Sequence, residues 1–237
     1  MRSSNPVFRS LERSEAYVGS EAATYRGIIG KTALLLIIAV ISGYLSLMLI
    51  PAEMFYPALI AAFVIALISV LVATRSPRLA MPFSLIYAVS EGFILGVVTL
   101  IFEMMVPGVA FAALIGTASI FTVMLFLYSS RTIRVTPRFR KIMYSVLLSF
   151  LLFFVLSLIF GLTSIFFTSQ YALLISGVLI VFGALMLTLD FDRAEMIVES
   201  GADKSYEWMV AVGLMVTIVW IYFELLRFLA ILSSRRN

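Results

Sequence analysis

The chain has 237 residues, of which 62% are hydrophobic and 13% charged, and its mean hydropathy of +1.11 lies far above the range of soluble domains. Cysteine and histidine are both absent, which excludes disulfides, thiol nucleophiles, imidazole bases and zinc sites with nitrogen or sulfur ligands. The formal charge of +4 does not indicate a nucleic-acid partner, because basic residues of membrane proteins concentrate in cytoplasmic loops. The composition therefore predicts an all-α integral membrane protein without a metal site or cofactor.

Seven apolar segments are long enough for a helix to cross the hydrocarbon core, which takes about 20 residues. They are 32–50, 55–74, 82–105, 109–128, 142–162, 171–191 and 208–232. The polar arm before them, 1–31, lacks the features of a cleavable signal peptide, so we expect the first segment to remain as an anchor. The connection 163–170 is short and uncharged, but a tract of about fifty residues is too long for one span. We therefore predict a hairpin there, and a short C-terminal tail at 233–237.

Basic residues predict the orientation. The arm and the second and fourth connections carry lysine and arginine, whereas the first, third and fifth connections carry none. The positive-inside rule then places the N-terminus in the cytoplasm. Seven full crossings put Arg235 and Arg236 outside, against that rule, and the alternative is a re-entrant last segment with the C-terminus inside. We favour the full crossing because 208–232 is amply long.

Four ionisable residues lie well inside the predicted spans: Glu91, Asp190, Glu224 and Arg227. An ionised group at membrane depth costs roughly 2.5–3.5 kcal/mol on insertion scales, so these side chains should face protein or water and not lipid. Glu224 and Arg227 are three residues apart and share a helix face, which places the last helix at the centre of the bundle. Glu91 adjoins Gly92 and Gly96, whose spacing lets another helix approach closely. Glu91 is interpreted either as a structural partner of Arg227 or as a group that passes ions or protons.

The sixth connection is more acidic than basic. Asp192, Glu195 and Glu199 fall near one face of a helix. One interpretation is a solvated amphipathic turn of helix. The other is an acidic vestibule that collects cations at the cytoplasmic mouth of a pathway.

Enzymatic and receptor functions find little support in the residues present. A retinal-binding protein needs a lysine in the last span, which has none. An intramembrane aspartyl protease needs aspartates on two neighbouring spans, but the seventh span has no aspartate to act with Asp190 of the sixth. A serine protease of the usual kind lacks its histidine, although composition leaves a serine–lysine variant open. Carboxyl groups beside a guanidinium in a low-dielectric site can titrate close to physiological pH, which would give a pH switch without histidine.

Several motifs resemble those of one membrane protein family. They are FELLRFLAILSS at the C-terminus, LDFDRAE at the end of the sixth span, YAVSEGFILG in the third, and the opening Ser4–Phe8. Together they resemble the Bax inhibitor-1 (transmembrane Bax inhibitor motif) family, in its bacterial branch. The resemblance implies a seven-helix fold in the cytoplasmic membrane, with the last helix enclosed by the other six.

The resemblance also implies a function. Bacterial members of this family are described as pH-sensitive calcium leak channels, and other members suppress cell death or modulate membrane-bound proteases. Their pH sensor is a pair of aspartates, to which Asp190 and Thr217 correspond here, and threonine cannot ionise. We therefore predict that Glu91, Glu224 and Arg227 form the buried ionic contact and that Asp190 stays at the cytoplasmic gate. The leading hypothesis is a pH-modulated calcium or other cation leak channel. The alternative is a non-conducting protein that binds another membrane protein, such as a protease.

Overall fold

The computed structural model describes residues 21–161 and 171–234, and these ranges contain seven α-helices and one short 3-10 helix, Ala52–Met54. The α-helices are α1 (Tyr25–Leu49), α2 (Phe55–Ala73), α3 (Pro77–Met105), α4 (Val109–Ser129), α5 (Pro137–Ile159), α6 (Ala172–Glu199) and α7 (Tyr206–Ser234). All seven are long and apolar enough to cross a membrane. The prediction of an all-α membrane protein with seven spanning helices is thereby confirmed.

Several helices extend beyond the apolar segments because helix formation continues into polar sequence. Helix α1 begins at Tyr25 and not at 32, since the Thr24 side chain caps it by accepting from the Gly27 amide at 3.0 Å. Helix α6 continues past 191 to Glu199. Helices α5 and α6 are separate, as predicted, and the connection 163–170 lies outside the described residues.

Helices α1 and α3 approach each other through glycines. A Cβ atom added to Gly92 would lie 2.2 Å from the Ala39 carbonyl oxygen, and one added to Gly96 would lie 2.7 Å from the Gly43 Cα atom. Lipid tails are as apolar as core side chains, so close backbone packing stabilises such helix pairs more than hydrophobic transfer does. The predicted close approach at Gly92 and Gly96 is thus made by α1.

Helix α7 packs against α1, α2, α3, α4 and α6, and its Trp220 ring stacks on Phe150 of α5 with centroids 5.9 Å apart. Val212 and Met215 belong to the core cluster shared with α1 and α3, whereas Leu214 belongs to the cluster shared with α4 and α6. These contacts on opposite sides explain why so much of this helix is buried. Enclosure by all six other helices stays a prediction.

The segment before α1 lies beside the connection between α6 and α7. Ala22 and Asp203 form an antiparallel bridge, in which the Ala23 amide donates to the Ala202 carbonyl at 2.8 Å and the Lys204 amide donates to the Glu21 carbonyl at 2.9 Å. The two segments therefore share one face of the bundle. This arrangement agrees with the predicted alternation of the helices, whichever side of the membrane that face occupies.

Candidate functional site

The two positions at which the sequence resemblance predicts a pH-sensing pair, Asp190 and Thr217, are in direct contact. The Thr217 hydroxyl of α7 donates to Asp190 Oδ2 of α6 at 2.6 Å and lies 3.4 Å from the Gly213 carbonyl oxygen. Gly213 is one turn earlier on α7, and a Cβ atom there would stand 3.9 Å from Asp190 Oδ1. One carboxyl group and one hydroxyl thus form this contact, where the resemblance implies two carboxyl groups.

This pairing has a simple chemical consequence. A hydroxyl donates to an ionised carboxylate and can also accept from a protonated carboxyl group, so Thr217 serves both forms of Asp190. The bond to the ionised form is the stronger one because hydrogen bonds to charged groups are shorter and roughly twice as strong. Protonation of Asp190 would therefore weaken the hydrogen bond between α6 and α7 without abolishing it.

Glu224 and Arg227 form an ion pair within α7. Glu224 Oε2 lies 2.7 Å from Arg227 Nη2, and both residues are 4% exposed. Arg227 Nε also donates to the buried Ser176 hydroxyl of α6 at 2.7 Å. The pair lies about 10–15 Å further along α7 than Thr217, at 1.5 Å per residue. Ser176 had no signal in the sequence, because serines in spanning helices usually bond their own backbone.

Glu91 lies apart from this ion pair. Within the described ranges it forms no hydrogen bond or ion pair, and the carboxylate that meets Arg227 there is Glu224. The predicted three-residue contact among Glu91, Glu224 and Arg227 is therefore seen only between the last two. Glu91 is one helical turn from the buried Tyr87, and that tyrosine belongs to the core cluster that includes α7.

The acidic residues of the sixth connection lie on the extended end of α6 and line one cavity. Asp192 pairs with Arg140 Nη2 of α5 at 2.5 Å, and Glu195 accepts from the Tyr128 hydroxyl of α4. Glu199 is exposed. Two of the three carboxylates thus have partners on other helices, and the Arg140 guanidinium places compensating positive charge beside the predicted cation vestibule.

A further buried contact was missed by the sequence reasoning. Glu207, in the first turn of α7 and 1% exposed, forms an ion pair with Lys31 of α1. Its Oε1 atom also accepts from the Thr24 amide at 2.8 Å and from the Thr24 hydroxyl at 3.1 Å. A Cβ atom on Gly27 would lie 2.1 Å from that oxygen, so any side chain at this position would have to displace the Glu207 carboxylate. The sequence feature that could have indicated this contact is that Lys31 and Glu207 each directly precede an apolar segment.

A second ion pair reinforces this contact at the surface. Lys204 hydrogen-bonds the Glu21 side chain, and that bond and the positive charge hold the pKa of the Glu21 carboxyl below its ordinary value. Both side chains are exposed, and exposed pairs contribute little to stability. The buried ion pair of Lys31 and Glu207 is therefore expected to stabilise this face more than the exposed pair of Lys204 and Glu21 does.

Seven apolar helices around buried polar contacts define a multi-pass helical membrane protein. The chain belongs to the Bax inhibitor family: the family model described as Bax inhibitor 1 like matches residues 5–234. No curated protein matches the chain. The match confirms the family predicted from the sequence motifs, and the assignment to a bacterial branch stays a prediction.

Proposed function

We propose that the protein is a pH-modulated cation leak channel of the cytoplasmic membrane, with calcium as the ion to test first. The N-terminus would lie in the cytoplasm, because the basic arm and the two basic connections fall on one side of the predicted topology. No step of this function requires catalysis.

The contact between Thr217 and Asp190 is the observation that carries the proposal. It joins α6 to α7 at 2.6 Å, at the two positions where the family resemblance places the pH sensor. In the closed state Asp190 would be ionised and hold Thr217 by a charge-assisted hydrogen bond. Protonation would weaken that bond, and the two helices would separate more readily. Conduction should therefore rise as the pH falls.

Two polar groups of α3 support a route beside α7. The Ser84 hydroxyl is fully buried and has no hydrogen-bond partner within the described residues, and the half-buried Glu91 lies two turns further along the same helix face. Polar groups without partners are costly in the membrane interior, which makes them candidates for contact with water or an ion in an open state. Glu224 and Arg227 would keep α7 attached to α6 through Ser176 while the gate opens.

The test is calcium flux into liposomes that contain the purified protein and a calcium-sensitive dye, measured between pH 5 and 8. We expect flux to increase toward low pH. Asp190→Asn should give high flux at every pH, since its amide carries no charge that protonation could remove. Ser119→Ala is the matched control, because its exposed hydroxyl bonds only its own helix at the Ile115 carbonyl.

Thr217→Asp is the sharpest variant because it restores two carboxyl groups at this contact. Two neighbouring carboxylates repel each other and share a proton, so their protons dissociate in two separated steps, and the transition with pH should become broader than in the natural protein. Absence of flux at every pH, or a pH profile that Asp190→Asn leaves unchanged, would overturn the channel proposal. A stoichiometric membrane-protein partner recovered together with that absence would favour the non-conducting regulator.

A further inference from the structure

A large cavity opens on the face of the bundle that carries the connection between α4 and α5. Its volume is about 1050 Å³, at the upper end of the usual range for ligand pockets. Helices α1 and α4 line its sides, and Phe191, Leu214 and Ile218 of α6 and α7 contribute to its wall. Ile29 on α1 and Leu125 on α4 are exposed at its rim, so the cavity opens toward lipid between these two helices.

The depth of the cavity matches one leaflet of a bilayer. The lining residues of α1 run from Tyr25 to Leu36, and those of α4 run from Leu114 to Tyr128. At 1.5 Å per residue these stretches are about 16 and 21 Å long, against about 15 Å for half of the hydrocarbon core. Away from the mouth the lining is apolar except for threonines such as Thr117, whose hydroxyl bonds its own helix. This part of the cavity suits an acyl chain.

The mouth of the cavity carries charges of both signs. Its charged lining residues are Arg131, Arg134, Asp192, Glu195 and Glu199, and Asp192 is paired with Arg140. Both arginines come from the connection between α4 and α5, and the carboxylates come from the end of α6. A cation funnel needs an excess of one sign, whereas a balanced mouth fits a group that carries both charges.

Two further features point to a binding site at this mouth. Arg131 has a φ angle of 57°, a left-handed conformation that is unfavourable for a residue with a side chain, and such strain tends to occur at functional sites. Tyr25 and Tyr128 line the same end, where aromatic residues commonly sit at the level of lipid headgroups.

We propose that this cavity binds one zwitterionic phospholipid with a phosphate and a primary ammonium in its headgroup. Arg131 and Arg134 would bind the phosphate, since arginine is well suited to phosphate oxygens. Glu195 and Glu199 would face the ammonium, and an acyl chain would lie between α1 and α4. The lipid would enter sideways from the leaflet on this face. This inference is independent of conduction, because Asp190 and Thr217 are not among the lining residues.

The experiment is native mass spectrometry of the full chain, released from detergent after delipidation and addition of defined lipids. The probes are phosphatidylethanolamine, phosphatidylglycerol and phosphatidylcholine. We expect one phosphatidylethanolamine per chain to be retained, at least fivefold over phosphatidylglycerol, which lacks the ammonium. Phosphatidylcholine should bind more weakly because its ammonium cannot donate hydrogen bonds.

Two variants test the contacts to the lipid headgroup and to the acyl chain separately. The double variant Arg131→Ala and Arg134→Ala should lower retention about tenfold by removing the phosphate contacts. Its control is Arg138→Ala, an exposed arginine just beyond the connection that does not line the cavity. Ala118→Trp should fill the cavity from its exposed rim, and Ala112→Trp is the control on an exposed part of α4 outside it.

The outcomes are decisive in both directions. Loss of the lipid in the double arginine variant and in Ala118→Trp, with both controls unchanged, supports the site. The proposed site is overturned if phosphatidylethanolamine and phosphatidylglycerol are retained equally or if no lipid is retained. It is also overturned if neither cavity variant reduces retention. If either cavity variant fails to fold, the other still decides, since each alone should lower retention. Calcium flux is a separate measurement, so failure of the lipid site leaves the channel test unaffected.

Discussion

The ion pair between Lys31 and Glu207 is expected to fasten α1 to α7, and Lys31→Met tests this. The substitution keeps most of the side-chain volume and removes the charge. Glu207 is 1% exposed and Lys31 15% exposed, so solvent screens the pair weakly. Without Lys31, the hydrogen bonds that remain to the Glu207 carboxylate within the described residues are those from the Thr24 amide and hydroxyl.

The expected loss of stability is about 2–3 kcal/mol. Removing one partner of a buried ion pair costs roughly 3–5 kcal/mol, because an uncompensated charge is left in a low-dielectric site. The two bonds from Thr24 and the partial exposure of Lys31 reduce that figure here. The double variant Lys31→Met with Glu207→Gln should recover part of the loss, since it removes the uncompensated charge while an amide oxygen still accepts from Thr24.

The assay is unfolding in detergent followed by tryptophan emission. The chain has two tryptophans, and Lys31 Nζ lies 5.2 Å from the centre of the Trp208 ring. In a Trp220→Phe background Trp208 reports directly on this contact. Lys141→Met is the matched control, because it makes the same chemical change at an exposed lysine.

The reasoning is refuted if Lys31→Met and Lys141→Met unfold at the same denaturant concentration. It is refuted equally if the double variant is less stable than Lys31→Met alone. In either case the stability of the protein would not depend on the charge of Lys31 beside Glu207, and other contacts would hold α1 against α7.

Two further predictions concern helix packing. Gly92→Ala should destabilise the protein by more than about 1 kcal/mol, because its Cβ would lie 2.2 Å from a backbone oxygen of α1. Gly30→Ala should be neutral or stabilising, since an added Cβ there would meet no atom from another part of the described chain within 4 Å. Thermal unfolding in detergent compares the two variants. Ser176→Ala should cost about 1–3 kcal/mol by removing the acceptor of Arg227 Nε. Ser149→Ala, which loses only an exposed bond to its own helix, is its control in the same measurement, and equal effects would contradict the role of Ser176.

The candidate site divides into parts that the sequence indicated and parts that it did not. Glu224 and Arg227 share a helix face, and the structure pairs them. The residue that joins them to α6 is Ser176, which nothing in the sequence distinguishes from other serines. Spacing along one helix predicts contacts within that helix, but the rotation of a second helix about its axis depends on packing over its whole length. Glu91 lies on a different helix from Arg227, so the sequence could not fix the distance between them. We expected Glu91 near Arg227, whereas in the described ranges it forms no ion pair.

The sequence by itself determined the seven apolar helices and the family. A spanning segment must satisfy its backbone hydrogen bonds internally, and the length of its apolar stretch can be counted directly in the sequence. Only the tertiary structure decided which helices meet. It placed Thr217 against Asp190, Lys31 against Glu207, and the charged end of α6 around a cavity whose mouth carries both signs. Those contacts join residues far apart in the chain, and their geometry is set by how glycines and side chains of different helices pack together.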